Sequence, residues 1–113
     1  MAQGEQKIRL KFTDDEAKTA NATRGMLLQL FRQKQQAGLS PEDPDTQALM
    51  ERYRREYIDI YLFTSTPIQI FAMGTALAVD PHNQKECDRY GEGLAAYLSQ
   101  AMLAYYKQQK ETE

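Results

Sequence analysis

Apolar positions recur at helical spacing along most of the chain, and capping residues divide it into helices. Thr13 and Glu16 have the spacing of a capping box, which predicts a first helix that runs to about Ala37 and ends at Gly38. Arg24 interrupts the apolar side of this helix. The residues expected to carry most of its burial are Leu27, Leu28 and Phe31.

Prolines and polar caps mark the start of a second helix. Ser40 and Asp43 each precede a proline suited to the first turn, so both are candidate caps for a helix over residues 46–62. Its apolar stripe is predicted to contain Leu49, Tyr53, Tyr57, Ile60 and Tyr61.

Three further helices are predicted from the same signals. Thr66, followed by a proline and Gln69, starts a helix over residues 67–79 that is apolar on nearly all sides. A helix of that composition is expected to be surrounded by its neighbours, so we expect it at the centre of the fold. A short helix should follow over residues 81–90 and a longer one over residues 94–109.

The N-terminal segment has a different period. Residues 7–12 alternate between charged and apolar side chains, which is a strand pattern with no second strand to pair with. We therefore expect an extended arm over residues 1–12, a helical domain over residues 13–109 and a polar tail over residues 110–113. The predicted fold is all-α, a single five-helix domain.

Composition and charge argue against several classes of function. A net charge of −2 argues against a nucleic-acid face and against docking on an anionic membrane surface. The N-terminus lacks the apolar segment of a signal peptide, and the longest apolar run, residues 70–79, is too short and too interrupted to span a bilayer. A single cysteine fits a reducing compartment, so we expect a cytoplasmic protein.

Reactive side chains are too few for an enzyme of a familiar type. His82 lies at a polar helix start and is expected to be exposed. The alternative is that His82 acts as a general base or as a haem ligand. Cys87 has no second histidine to activate it and is expected to be a small buried residue. One histidine and one cysteine do not make a zinc site. We expect no catalysis, no metal and no cofactor.

Aromatic residues are the remaining candidates for function. Several hydroxyl-bearing rings on facing helices would form an apolar groove with a few polar tips, as ligand sites often do. Each ring taken alone is also an ordinary core residue. The predicted ligand-binding residues are Tyr57, Tyr61, Phe63, Phe71 and Tyr97.

An ordered series of short motifs resembles a known family. The series comprises residues 38–44, an aromatic at Tyr53 in the helix that follows, residues 78–81, residues 88–90 and residues 93–98. It resembles the TipAS antibiotic-recognition domain of MerR-type transcription regulators, over roughly residues 27–106. The resemblance implies a globin-like helical fold without haem that binds large hydrophobic antibiotics between its helices.

The resemblance also has two departures. The founding thiopeptide sensor of the family carries a cysteine between its second and third helices that captures the drug covalently, and the matching position here is Ser65. The family's aromatic-rich upstream segment is replaced by the short arm at residues 7–12. Because an unactivated serine is a poor nucleophile, we expect reversible binding.

Two functions are therefore weighed. The first is non-catalytic binding of a bulky, hydrophobic or amphipathic molecule, by the effector domain of a MerR-type regulator or by a stand-alone drug binder. In either case this chain would not bind DNA itself, since it lacks a winged helix. The alternative is a helical protein–protein interaction module, in which the same groove accepts a partner's amphipathic helix.

Overall fold

The computed structural model describes residues 13–111, which form five helices and contain no strand. The predicted all-α class is therefore confirmed, whereas the arm at residues 1–12 lies outside the described residues. The helices are α1 Asp14–Gln36, α2 Pro44–Tyr53, α3 Pro67–Val79, α4 Pro81–Asp88 and α5 Leu94–Glu111. Between α2 and α3 the chain continues as a π-helical segment, Arg54–Leu62.

The helix starts follow the sequence signals. The Thr13 and Glu16 side chains each accept a hydrogen bond of 3.0 Å from the other residue's backbone N–H, which closes the predicted capping box of α1. Asp43, rather than Ser40, caps α2 by accepting from the Asp45 N–H at 2.8 Å. Gly38 follows α1 with φ +81°, where only glycine is free of strain.

The centre of the fold is α5, which packs against α1, α2, α3 and α4. The prediction that α3 is central is wrong, since Ile68 and Val79 on its outer side are 53% and 74% exposed. The buried side of α5 contains the small residues Ala95, Ala101 and Ala104. These small side chains let four other helices pack closely around α5. The apolar composition of α3 did not predict which helix would be surrounded.

The chain between α2 and α3 changes its hydrogen-bond register. At the end of the π-helical segment, the Phe63 N–H donates to the Ile58 carbonyl, five residues back, at 3.0 Å. The wider turn rotates later side chains relative to an α-helix. As a result Ile58 is fully buried and Ile60, predicted on the buried stripe, is 55% exposed.

Within residues 13–111, no single helix has both the length and the apolar character needed to cross a membrane. Only Pro44–Leu62 and Pro67–Val79 taken together pass that test, and they are bent by 90° relative to each other.

Candidate functional site

An apolar cavity of about 210 Å³ lies where α1, the π-helical segment, α3, α4 and α5 meet. We call it the aromatic cavity. Its aliphatic and thioether lining is Leu62, Met73, Ala76, Leu77, Leu98 and Met102. Its aromatic and polar lining is Arg24, Tyr53, Tyr57, Asn83 and Cys87. The lining is therefore mostly apolar with a few polar groups, which is the usual makeup of a small-molecule site.

Stacked aromatic rings form one wall of the cavity. The buried Tyr53 ring meets Phe31 edge-on at 5.8 Å between centroids, and Tyr57 lies 5.3 Å beyond Tyr53. Tyr61 continues the row at 6.1 Å from Tyr57. Burial raises the pKa of both Tyr53 and Tyr57, so each hydroxyl stays protonated at neutral pH. This wall of rings is therefore uncharged at neutral pH.

Arg24 brings a positive charge to this apolar surrounding. Its guanidinium Nη2 donates to Sγ of Cys87 at 3.7 Å and lies beside Tyr53. Burial works to lower the pKa of Arg24, but Tyr53, Cys87 and Tyr57 raise it by more, so the side chain remains charged. Among residues 13–111 this half-buried cation contacts a thiol and phenols, neither of which is a strong acceptor.

Cys87 is buried, as the sequence predicted, with 1% of its surface exposed. Burial raises the pKa of its thiol, and the neighbouring Asp88 and Glu86 add to this, although Arg24 works in the opposite direction. The thiol is therefore neutral near pH 7 and is a poor nucleophile. The arrangement gives this cysteine a packing role in the cavity wall.

Ser65, the position where the resemblance implies a capture residue, is 4% exposed and fully hydrogen-bonded. Its hydroxyl donates to Oδ1 of Asp59 at 2.7 Å and accepts from Nε of Arg54 at 2.8 Å. Arg54 also donates to the Ser65 carbonyl and to the Tyr105 hydroxyl, each at 2.7 Å. The hydroxyl therefore joins the π-helical segment to the loop before α3 and does not face the aromatic cavity.

The structure separates the five predicted site residues. Tyr57 lines the aromatic cavity, Tyr61 stacks behind it, and Phe63 packs on the core without reaching the cavity. Phe71 lies on the outer side of α3 against the Tyr106 ring, 5.1 Å away. The hydroxyl of Tyr97 donates to the Leu39 carbonyl at 2.8 Å, and it is 3.0 Å from the hydroxyl of Thr46. Phe71 and Tyr97 are therefore not brought to the same surface as Tyr57.

Several lining residues were not predicted, although two had a signal in the sequence. Arg24 was visible as a polar break in the apolar side of α1, and Tyr53 as the aromatic centre of the second helix. A charged residue on a buried stripe often has a partner or a ligand. Met73, Leu98 and Met102 could not be distinguished from core residues by spacing alone.

A larger pocket, of about 350 Å³, lies between α3, α4 and α5 on the other side of Leu77. Among residues 13–111 no aromatic ring lines it, and three of its four polar side chains, those of Gln84, Asp88 and Ser99, hydrogen-bond to the backbone. Gln84 donates to the Leu77 and Ala78 carbonyls, and Asp88 accepts from the Ala95 N–H at 2.8 Å. These contacts fasten helix ends together, so we take the aromatic cavity as the candidate site despite its smaller volume.

Metal-binding chemistry gives no competing site. Across residues 13–111, no three side chains of His, Cys, Asp or Glu lie close enough together to hold a metal ion.

A helical domain with an aromatic-walled, mostly apolar cavity has the makeup of a ligand-recognition domain. The family model of the TipAS antibiotic-recognition domain matches residues 1–105, so the chain belongs to that family. No match was found among curated proteins or among solved structures. The match begins at residue 1 and extends well upstream of residues 27–106, the span over which the motifs were recognised. Ligand recognition is the general role of the family, and it supports binding of a small molecule.

Proposed function

We propose that this domain binds an apolar small molecule of the antibiotic type in the aromatic cavity, without catalysis. The observation that carries the proposal is the wall of Tyr53 and Tyr57 facing Met73, Leu98 and Met102 across an unfilled space, in a chain of an antibiotic-recognition family. Aromatic and thioether groups suit such ligands because they offer large, adaptable apolar contact area.

The size of the cavity limits what it accepts. Pockets that enclose a drug-sized ligand have volumes of roughly 300–1,000 Å³, whereas the aromatic cavity holds about 210 Å³. A bulky antibiotic would therefore insert one apolar group here and leave the rest of the molecule over the cavity mouth, beside exposed residues such as Ala76 and Asn83. We expect this binding to be reversible.

We further propose that the domain is the effector domain of a cytoplasmic MerR-type transcription regulator, the usual setting of this family. In that setting ligand binding here would alter DNA binding elsewhere. The alternative is a stand-alone drug binder. The genomic reading frame upstream of Met1 distinguishes the two, since a winged helix in frame supports a regulator and its absence supports a stand-alone binder.

The binding proposal is tested by filling the cavity mouth. Ala76 lines the cavity but is solvent-exposed, so an indole added there blocks entry without disturbing the core. A hydrophobic antibiotic found by thermal shift should bind Ala76→Trp at least tenfold more weakly, a loss of about 1.4 kcal/mol. Ala72→Trp is the matched control, because Ala72 is exposed one helical turn away and does not line the cavity. Equal affinities for both variants would contradict the site.

The outer side of α3 favours a second candidate function. Ile68, Phe71 and Val79 are exposed there, at 53%, 38% and 74%, and an amphipathic helix of a partner protein could cover them. If the domain is a protein–protein interaction module, we expect that no small molecule raises its unfolding midpoint and that Phe71→Ser abolishes capture of a specific protein partner. Retained capture by Phe71→Ser would contradict it.

A further inference from the structure

Arg24 is a cation with no carboxylate partner among residues 13–111. The ion pairs of the described residues join Arg52 with Glu56, Arg55 with Glu51, and Arg89 with Glu86. The guanidinium carries five N–H donors, and its partners among the described residues are the thiol of Cys87, at 3.7 Å, and the side chain of Tyr53, with which it is hydrogen-bonded. Neither of these partners carries a full negative charge at neutral pH.

The two carboxylates that flank Cys87 in the sequence are hydrogen-bonded to other groups. Glu86 accepts from Arg89 at 3.0 Å, and Asp88 accepts from the Ala95 backbone at 2.8 Å. Among the described residues the remaining cavity lining adds no negative charge, since its other polar groups are the amide of Asn83, the neutral thiol of Cys87 and two protonated phenols. The aromatic cavity therefore has one fixed positive charge against an apolar wall.

We propose that the aromatic cavity selects apolar or aromatic ligands that carry one oxyanion, a carboxylate or a sulfonate, and that Arg24 binds this group. This inference rests on the proposed function, because it names the ligand class for the same cavity. A planar guanidinium matches the geometry of an oxyanion and donates two parallel hydrogen bonds to it. Partial burial strengthens that contact relative to water.

The opposing interpretation is that Arg24 only supports the cavity wall. In that case its charge is incidental, and removing it should weaken all ligands alike by disturbing Tyr53 and Cys87. The two interpretations differ in one respect, which is whether the effect of Arg24 depends on the charge of the ligand. A pair of ligands that differ only in an anionic group separates them.

The probes are 8-anilino-1-naphthalenesulfonate and N-phenyl-1-naphthylamine, which share the same rings and differ in the sulfonate. Both are titrated by fluorescence against wild type, Arg24→Gln, Arg24→Lys and Ala76→Trp. The control is Arg55→Gln, because the Arg55 side chain is 72% exposed and does not line the cavity. Thermal unfolding of each variant is measured first, so that dye binding to unfolded chain is recognised. Arg24→Met replaces Arg24→Gln if the amide variant does not fold.

We expect Arg24→Gln to weaken binding of the sulfonate at least tenfold, the loss of one charge-assisted contact, and to leave the neutral dye within threefold. Arg24→Lys should restore part of the sulfonate affinity, and Arg55→Gln should change neither dye. Equal losses for both dyes, or no loss for either, would overturn the role of Arg24. If Ala76→Trp leaves both dyes unaffected, the cavity itself is not the site and the proposed function fails with it.

Discussion

At the scale of single residues, partly buried polar contacts outside the aromatic cavity hold the segments that line it. The clearest example is Ser65, whose hydroxyl lies between Asp59 and Arg54 and is closed off from solvent. Arg54 extends the network to Tyr105, which donates in turn to Glu51. This network connects the π-helical segment to α5 and so places Tyr57 and Leu62 at the cavity.

Ser65→Ala should therefore destabilise the fold by about 1–3 kcal/mol, because two charged side chains lose their hydrogen bonds to the buried Ser65 hydroxyl. Urea denaturation measures the change. Thr64→Ala is the control, since Thr64 is the exposed neighbour and should change the free energy of unfolding by less than about 0.5 kcal/mol. Equal stability of the two variants would show that the network does not hold this loop.

Cys87 gives a prediction about covalent chemistry. Because burial raises the pKa of its thiol above the ordinary value, the reactive thiolate is scarcer at pH 7 than in a free cysteine, and its fraction grows only as the pH rises. We expect no adduct with a dehydroalanine-containing thiopeptide at pH 7, as measured by intact mass, and rapid iodoacetamide labelling only in urea. A stoichiometric adduct that disappears in Cys87→Ser would contradict this.

From the sequence, the burial of single residues was easier to predict than which residues line the cavity. The buried state of Leu27, Leu28 and Phe31 followed from spacing, and that of Cys87 followed from the residue type. The composition of the cavity did not follow, because Tyr57 and Tyr97 carry the same signal in the sequence. Their separation depends on which helices meet, and that is decided by packing between distant parts of the chain.

At the scale of elements, the contact between α3 and α5 depends on the absence of one side chain. The Ser99 hydroxyl on α5 donates to the Gly74 carbonyl on α3 at 2.7 Å. A methyl group added at Gly74 would lie 2.9 Å from Cβ of Met102 and 3.0 Å from the Ser99 carbonyl oxygen. Both atoms belong to or adjoin the backbone of α5, so the helices would have to separate.

Gly74→Ala should destabilise the protein by about 1–3 kcal/mol through overpacking, even though alanine favours helix by about 1 kcal/mol. Gly25→Ala in α1 is the matched comparison, because the added methyl meets the hydroxyl end of the Tyr90 side chain at 2.9 Å and meets no backbone atom of another helix. It should be neutral within about 1 kcal/mol. Chemical denaturation of both variants tests the difference, and a stabilised Gly74→Ala would contradict the close approach.

Element boundaries were largely predictable, because caps and prolines act locally. α3 begins at Pro67 and ends at Val79, as the sequence indicated, and the Thr66–Gln69 pair closes its start with a bond of 2.9 Å. The π-helical register of Arg54–Leu62 had no local signal. It accompanies contacts from Arg54 to Ser65 and Tyr105, which are separated from it by 11 and 51 residues.

At the scale of the whole molecule, charge constrains what this chain binds directly. The net charge is −2, and the cations on the helix surfaces at Arg52, Arg55 and Arg89 are neutralised by glutamates within one turn. We therefore expect residues 1–113 not to bind duplex DNA specifically at physiological salt. A saturable, sequence-dependent shift in a gel assay would contradict this.

Methionine methyl groups provide the most direct test of the aromatic cavity as the ligand site. The chain has five methionines, of which Met73 and Met102 line the cavity, Met50 is buried elsewhere in the core and Met26 is 44% exposed. With ¹³C-methyl methionine, titration of a bound antibiotic should shift the signals of Met73 and Met102 and give nuclear Overhauser contacts from their methyls to the ligand, while Met50 and Met26 stay in place. Shifts confined to Met26 or Met50, with Met73 and Met102 unchanged, would contradict ligand binding in the aromatic cavity.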